Sequence, residues 1–291
     1  MKARDTSSRL LALFGDFQRG SSQMHRWLGS LALVSTFAAQ PATAGPPTAK
    51  GRLDATDAGQ GGFGTIKGRL VWRGEEVPLQ EVLVPKGRSG KDVAVCAADE
   101  PILDKSLVVD PKTRGIRYAV VYLVRPIGEN PEAVQALAAK PAVVTVKNCE
   151  FLPYVSALHQ DQALRFKSLD PNNHNARLGH TRDMVFNRML GPLGEFEAKV
   201  RARRGAIPLA CDIHTLTGGW VMVFDHPFFA VTAEDGSFEI AGVPAGDQVL
   251  ADWQETMKPG SPWPVDERRV QVRAGRVTDV GDIALNEVKD P

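Results

Sequence analysis

Ala210-Cys211-Asp212-Ile213-His214, continued by Thr215-Leu216-Thr217-Gly218-Gly219, is the stretch on which the fold turns. Ala206-Ile207-Pro208-Leu209 leads in as a strand, Thr217-Gly218-Gly219 turns the chain back, and Trp220-Val221-Met222-Val223-Phe224 reads as the next strand. A tight loop between two strands therefore presents a thiol and, just beyond it, an imidazole. Upstream, Asp170-Pro171-Asn172-Asn173 is strong turn chemistry, and it sets His174 in a second loop that must arrive at the same rim. One thiolate and two imidazoles are the donor set of a trigonal copper site with a weak, distant axial ligand. His174, Cys211 and His214 are thus the candidate metal ligands. Asn175, next to His174, has a side chain suited to bracing the ligand loops by hydrogen bonds.

Three stretches, "DPNNHN" (170–175), "CDIHTLTGGWVMVFDHPFFAVT" (211–232) and "EDGSFEIAGVPAG" (234–246), carry a resemblance. Together they resemble secreted bacterial cupredoxin-like proteins of the methylamine-utilisation-like type, in which a type 1 copper domain is joined to a carboxypeptidase-regulatory-like or Cna-B-like β domain. The resemblance covers residues 64–285 and implies an all-β protein: a cupredoxin-like Greek-key sandwich followed by a smaller β-sandwich. It implies copper held by His174, Cys211 and His214. It also implies a Met in the turn after the second His, where this chain has Thr217. Two further positions depart from the pattern. Tyr154 stands for a His in Cys149-Glu150-Phe151-Leu152-Pro153-Tyr154-Val155, and Gln254 for a His in Trp253-Gln254-Glu255. Met184, Met189 and Met222 are the nearby thioethers, and none has the axial spacing.

Composition sets outer bounds. The chain has 291 residues, 43% of them hydrophobic, which accommodates one large or two small domains. Its net charge of +1 gives no electrostatic case for nucleic acid. With 20 Pro, 27 Gly and few long helical patterns, the composition favours a turn-rich all-β fold.

Residues 1–44 read as an N-terminal extension and signal peptide, with Met24 as a plausible start. His25-Arg26 precedes an apolar run over 27–39, and Ala42-Thr43-Ala44 supplies small residues for cleavage. The run is shorter than an ordinary spanning helix. The expectation is export to the periplasm or beyond, with no stable membrane span after cleavage. Residues 45–62, rich in Gly, Pro, Ala and Thr, read as a disordered linker.

Residues 63–227 are expected to form the cupredoxin-like domain and 228–287 the regulatory-like one. An alternative arrangement has Gly64-Thr65-Ile66-Lys67-Gly68-Arg69-Leu70-Val71-Trp72 as the first strand of the second domain, with the copper domain wedged in between. Strands are expected over 106–110, 116–124, 142–146, 162–166, 229–232, 237–240, 249–253, 270–272 and 277–285, and a short helix beginning at Pro131. In 116–124 both faces become apolar, which suits the middle of a sandwich.

Of the three cysteines, Cys96 and Cys149 read as a disulfide in an exported protein. Such a bridge stabilises by about 4 kcal/mol on chain-entropy grounds. Two buried free thiols are the other reading. Cys211 is left over, and metal ligation accounts for it. His159 and His226 read as structural and His180 as exposed. The basic run Lys199-Val200-Arg201-Ala202-Arg203-Arg204 is a solvated face or a dock for an acidic redox partner.

The functional expectation is a non-enzymatic, copper-binding electron carrier with a redox-protein partner. The alternative is a surface or scaffold protein whose copper site is degenerate. A Cys211–His214 hydrolase is a third class, disfavoured because one tight loop constrains attack and no oxyanion donor is evident.

Overall fold

The computed structural model describes residues 61–256 and 267–285. The expected leader and all but the end of the expected linker lie outside the described residues. In chain order the elements are β1 (Phe63–Trp72), β2 (Val82–Val84), β3 (Ile102–Leu103), β4 (Val108–Val109), β5 (Ile116–Arg117), β6 (Val120–Leu123) and α1 (Pro131–Ala138). Then come β7 (Ala142–Lys147), β8 (Glu150–Leu152), β9 (Val155–His159), β10 (Ala163–Ser168), β11 (His174–Leu178), β12 (Phe186–Leu190) and β13 (Glu195–Lys199). The chain closes with β14 (Ile207–Ala210), β15 (Gly218–Phe224), β16 (Phe229–Val231), β17 (Ser237–Pro244), β18 (Gly246–Trp253), β19 (Arg268–Val272) and β20 (Val277–Leu285).

The described residues are all-β apart from α1. That helix starts where Asn130 caps it, accepting a hydrogen bond from the Ala133 amide at 3.0 Å, with Pro131 in its first turn. Two β-sandwiches and two two-stranded ribbons, β2-β3 and β4-β5, make up the rest. In the first, the sheet β13-β10-β7-β8 faces the sheet β12-β11-β14-β15-β9. Val144, Val146, Leu164 and Phe166 from one sheet meet Leu158, Leu178, Leu209 and Val221 from the other, all buried, and Cys211 belongs to this core. In the second sandwich, the sheet β17-β1-β20 faces β16-β6-β18-β19 around Ile66, Leu70, Leu123, Ile240, Leu250 and Ile283.

The expected division at residue 227 is not how the strands pair. β1 lies between β17 and β20, with Ile66 opposite Ile240 and Thr278, and β6 pairs with β16 and β18. Residues 142–224 are thus an insertion between two adjacent strands of the other sandwich, the wedged arrangement. The physical reason lies in β6, which is apolar on both faces. Val121 and Leu123 point into the second core, while Val120 and Tyr122 pack with Val155, Met222, Phe224 and Trp253. That seam joins the outer faces of the two sandwiches through buried apolar area, so β6 has no polar face to turn to water.

The expected single strand over 116–124 is interrupted. Tyr118 takes φ 65, which separates β5 from β6. Gly219 is required where β15 passes Tyr154, since a Cβ there would lie 2.6 Å from the Tyr154 carbonyl oxygen. No helix among the described residues is long and apolar enough to cross a membrane.

Candidate metal centre

Three strand ends of the first sandwich converge. Cys211 follows the last residue of β14, and the loop after it is closed by backbone bonds: Cys211 N donates to Thr217 O (3.1 Å) and Thr217 N to His214 O (2.8 Å). His174 is the first residue of β11, the neighbour of β14, rather than a loop residue. The ligand atoms of His174, Cys211 and His214 all lie within 4.8 Å of one another, and the two imidazole centroids are 4.8 Å apart. All three side chains are buried: His174 is 0%, Cys211 2% and His214 7% exposed.

A carboxylate fixes each imidazole. His174 Nε2 faces Asp170 Oδ2 at 3.1 Å, and His214 Nε2 faces Asp92 Oδ2 at 2.8 Å. Burial pushes the Asp170 carboxyl up, but hydrogen bonds from His174 and from the Cys149 and Asn148 amides hold it below its ordinary value. Asp92 is held low by hydrogen bonds from Asn172 and His214. Both are therefore anions that accept only, so each Nε2 carries its hydrogen and each Nδ1 is the atom turned inward. His214 Nδ1 lies 3.8 Å from Cys211 Sγ. His174 Nδ1 has no hydrogen-bond partner. Among the described residues only one other buried side-chain nitrogen or oxygen is unpaired, Asn172 Oδ1, and it sits in the same turn. Such an orphan costs about 1–3 kcal/mol, so two of them in one pocket mark a place built for something else.

Asn175 joins the loops. Its amide N–H points at Cys211 Sγ (3.5 Å), and its Oδ1 accepts from Asp212 N (2.8 Å) and Ile213 N (3.3 Å). Its Nδ2 donates to Asn187 Oδ1 (2.7 Å) and Asp212 Oδ2 (3.0 Å). Cys211 is pulled two ways. Burial pushes its thiol up, while the facing His174 ring and hydrogen bonding from the Asn175 amide and from His214 outweigh that and bring it to about 6. For His174, burial lowers the value, but the Asp170 carboxylate and the Cys211 sulfur raise it to about 9. Without a cation, the pair is a thiolate beside an imidazolium.

Cys96 and Cys149 form a disulfide, and Cys211 is free and buried. Thr217, at the expected axial position, is committed elsewhere: its hydroxyl donates to the Cys149 carbonyl. Tyr154 and Gln254 belong to another polar corner. Tyr154 Oη donates to Glu255 Oε2 at 2.6 Å, and Gln254 Nε2 donates to the Ser106 carbonyl. Met222 is buried in the seam between the sandwiches, while Met184 and Met189 are exposed. His159 is buried, its Nδ1 accepting from the Asp161 amide at 3.2 Å, and His180 is exposed. The basic run ends just before β14, whereas Cys211 follows it. The two therefore lie beyond opposite ends of one four-residue strand, which spans about 13 Å at ~3.3 Å per residue.

Asp92 and Asp170 are the residues of the candidate centre that sequence reading missed. Asp170 stands four residues before His174 inside a turn motif, which was signal enough. Asp92 comes from a segment without periodicity, 122 residues from His214, and nothing local marks it.

No known family's sequence pattern matches the chain, and no curated protein matches it. Among solved structures it is similar to amicyanin from Paracoccus versutus (14% identity, TM-score 0.27, covering 36% of this chain and 97% of that one). It is similar also to a purple cupredoxin from Nitrosopumilus maritimus (17%, TM-score 0.26, covering 28% and 99%). A copper-containing nitrite reductase from Thermus scotoductus matches at 18% identity and TM-score 0.26, covering 29% of this chain and 22% of that one. Likenesses at this level say nothing about the site.

Proposed function

We propose that the protein binds one copper ion through His174 Nδ1, Cys211 Sγ and His214 Nδ1 and serves as a non-enzymatic electron carrier. The observation that carries this reading is the unpaired, fully buried Nδ1 of His174, facing a thiolate and a second imidazole whose outer nitrogens are both tied to carboxylates. Bound copper would supply a one-electron couple whose coupling runs through the thiolate sulfur. The residues do the rest. Asp170 and Asp92 hold the imidazoles in the tautomer that offers Nδ1. Asn175 fixes the Cys211 loop, and the surrounding apolar core excludes water.

Cys211 is too buried to attack a substrate carbonyl, which argues against the hydrolytic reading. Export fits a Cys96–Cys149 bridge. The second sandwich, with its Asp235-Gly236 turn carrying the chain from β16 in one sheet to β17 in the other, fits a regulatory-like structural module. A redox partner would dock on the Cys211–His214 loop, where Leu216 is 54% exposed, rather than on the distant basic run.

Adding Cu(II) anaerobically to the purified protein tests this. One equivalent should produce an intense visible thiolate-to-copper absorption, absent from Cys211→Ser. A colourless complex in the wild type would leave the scaffold reading standing instead.

A further inference from the structure

The disulfide is part of the same pocket. Both of its sulfurs lie within 4.8 Å of a ring nitrogen of His214 and of each other. The Cys149 sulfur also groups, at the same limit, with an Asp170 oxygen and a ring nitrogen of His174. Asn172 Nδ2 lies 3.7 Å from Cys149 Sγ and 3.9 Å from Cys96 Sγ, and its Oδ1 is the second orphaned atom. Sulfur in a bridge is a poor ligand, whereas thiolate is a strong one for soft cations.

Both cysteines sit where they can part. Cys149 is in the tight turn between β7 and β8, where Asn148 and Cys149 take φ 56 and 60, and Cys96 precedes Ala97 at φ 53 in the loop between β2 and β3. Neither side chain is held in a ladder. In thiolate–imidazole sites, metal–sulfur and metal–nitrogen bonds of about 2.3 and 2.0 Å place ligand atoms roughly 3.6 Å apart.

We propose that Cys96–Cys149 is a masked ligand pair: its reduction frees two thiolates that, with His214, take a thiophilic d10 cation beside the Cys211 thiolate. A dithiol reductant supplies two electrons and becomes a disulfide itself. Its two hydrogens end on the Cys96 and Cys149 sulfurs, and they leave as protons when the cation binds. The bridge is buried, so the exposed segment 85–94 that leads to Cys96 must lift for the reductant to enter. The Cys211 contribution to the signal below rests on the proposed metal centre, whereas the two freed sulfurs do not depend on it.

Cd(II) is the probe, because its near-ultraviolet sulfur charge-transfer absorption grows with each thiolate bound. The full chain is reduced with a phosphine, desalted without oxygen and titrated. Reduced wild type should give about three times the intensity of the oxidised protein. Cys96→Ser/Cys149→Ser should match the oxidised protein with or without reductant. Equal intensity before and after reduction of the wild type would overturn the proposal. Reduced Cys211→Ser separates the two claims. If the His174–Cys211–His214 site fails, oxidised wild type shows no band, yet reduced Cys211→Ser still gives that of two thiolates. Should reduced wild type lose its β-sheet circular dichroism, Cys96→Ser, with Cys149 free, replaces it. A twofold band is then expected, and one no larger than that of the double variant overturns the proposal.

Discussion

Replacing Asp170 by Asn removes a charge and one acceptor from a buried polar junction. Three N–H groups converge on this carboxylate: Asn148 N on Oδ1 and Cys149 N on Oδ2, each at 2.8 Å, and His174 Nε2 on Oδ2 at 3.1 Å. An amide has a single accepting oxygen. In its better orientation the NH2 group faces Asn148 N and loses one bond; in the other it loses two. The minimum loss is one charge-assisted hydrogen bond, about 1.5–3 kcal/mol, plus a stranded donor worth about 1–3 kcal/mol. We therefore expect Asp170→Asn to lower the unfolding free energy of the metal-free protein by about 3–5 kcal/mol, read from the urea midpoint at constant slope. With its Nε2 partner weakened, His174 should also lose orientation, and copper affinity should fall by about 10- to 100-fold in competition with a chelator. The sign with pH follows from the depressed carboxyl. The wild type holds this stability above the ordinary Asp value of 3.8 and loses it as pH falls through the lower native value, while the variant shows no such loss. A stability change below about 1 kcal/mol with unchanged copper affinity would refute the reasoning.

Proton release should report the Cys211–His174 pair. With His174 near 9 and Cys211 near 6, copper binding should release no proton from these two groups above pH 9, one between 6 and 9, and two below 6. Calorimetry in buffers of different ionisation enthalpy counts them, and a pH-independent count contradicts the pairing. In the metal-free protein, thiolate absorbance should rise with a midpoint near 6, and His174→Ala should move that midpoint upward by removing the facing cation. Asn175→Ala should cost about 2–4 kcal/mol, since it strands the Asp212 and Ile213 amides. It should also broaden the visible copper band by loosening the Cys211 loop. Leu70→Ala, in the β1 core position, should cost about 2–5 kcal/mol. Hydrogen exchange should then quicken in β17 and β20, its sheet neighbours, and quickening confined to 142–224 would contradict the inserted topology.

Much of this arrangement could be read from local sequence, where local chemistry produces it. The Cys211 loop was legible because thiol and imidazole share one turn between two apolar runs. The strand at 63–72 was legible from its alternation, and α1 from Asn130-Pro131. His174 was legible as a candidate, but its place at the head of β11 was not, because Asp170-Pro171-Asn172-Asn173 dominates the local signal. The pairing of β1 with β17 and β20 depends on contacts across the whole chain, and alternation alone does not say which sheet a strand joins. The double-faced apolar character of β6 was visible, yet its meaning, one face in each apolar cluster, required the second sandwich to be in place. Asp92 was invisible for a related reason: a lone carboxylate in an aperiodic segment gains its role only when the Cys96 bridge and the Asp92–Cys96 turn set it against His214. In that turn Cys96 N donates to Asp92 O at 2.8 Å.

The most direct test of the central claim is X-ray absorption fine structure at the copper edge of the protein loaded with one equivalent. The account predicts one short sulfur scatterer and two imidazole rings, with the sulfur shell lost in Cys211→Ser and one ring lost in His174→Ala. A shell of only oxygen and nitrogen scatterers in the wild type, or two rings persisting in His174→Ala, would contradict it.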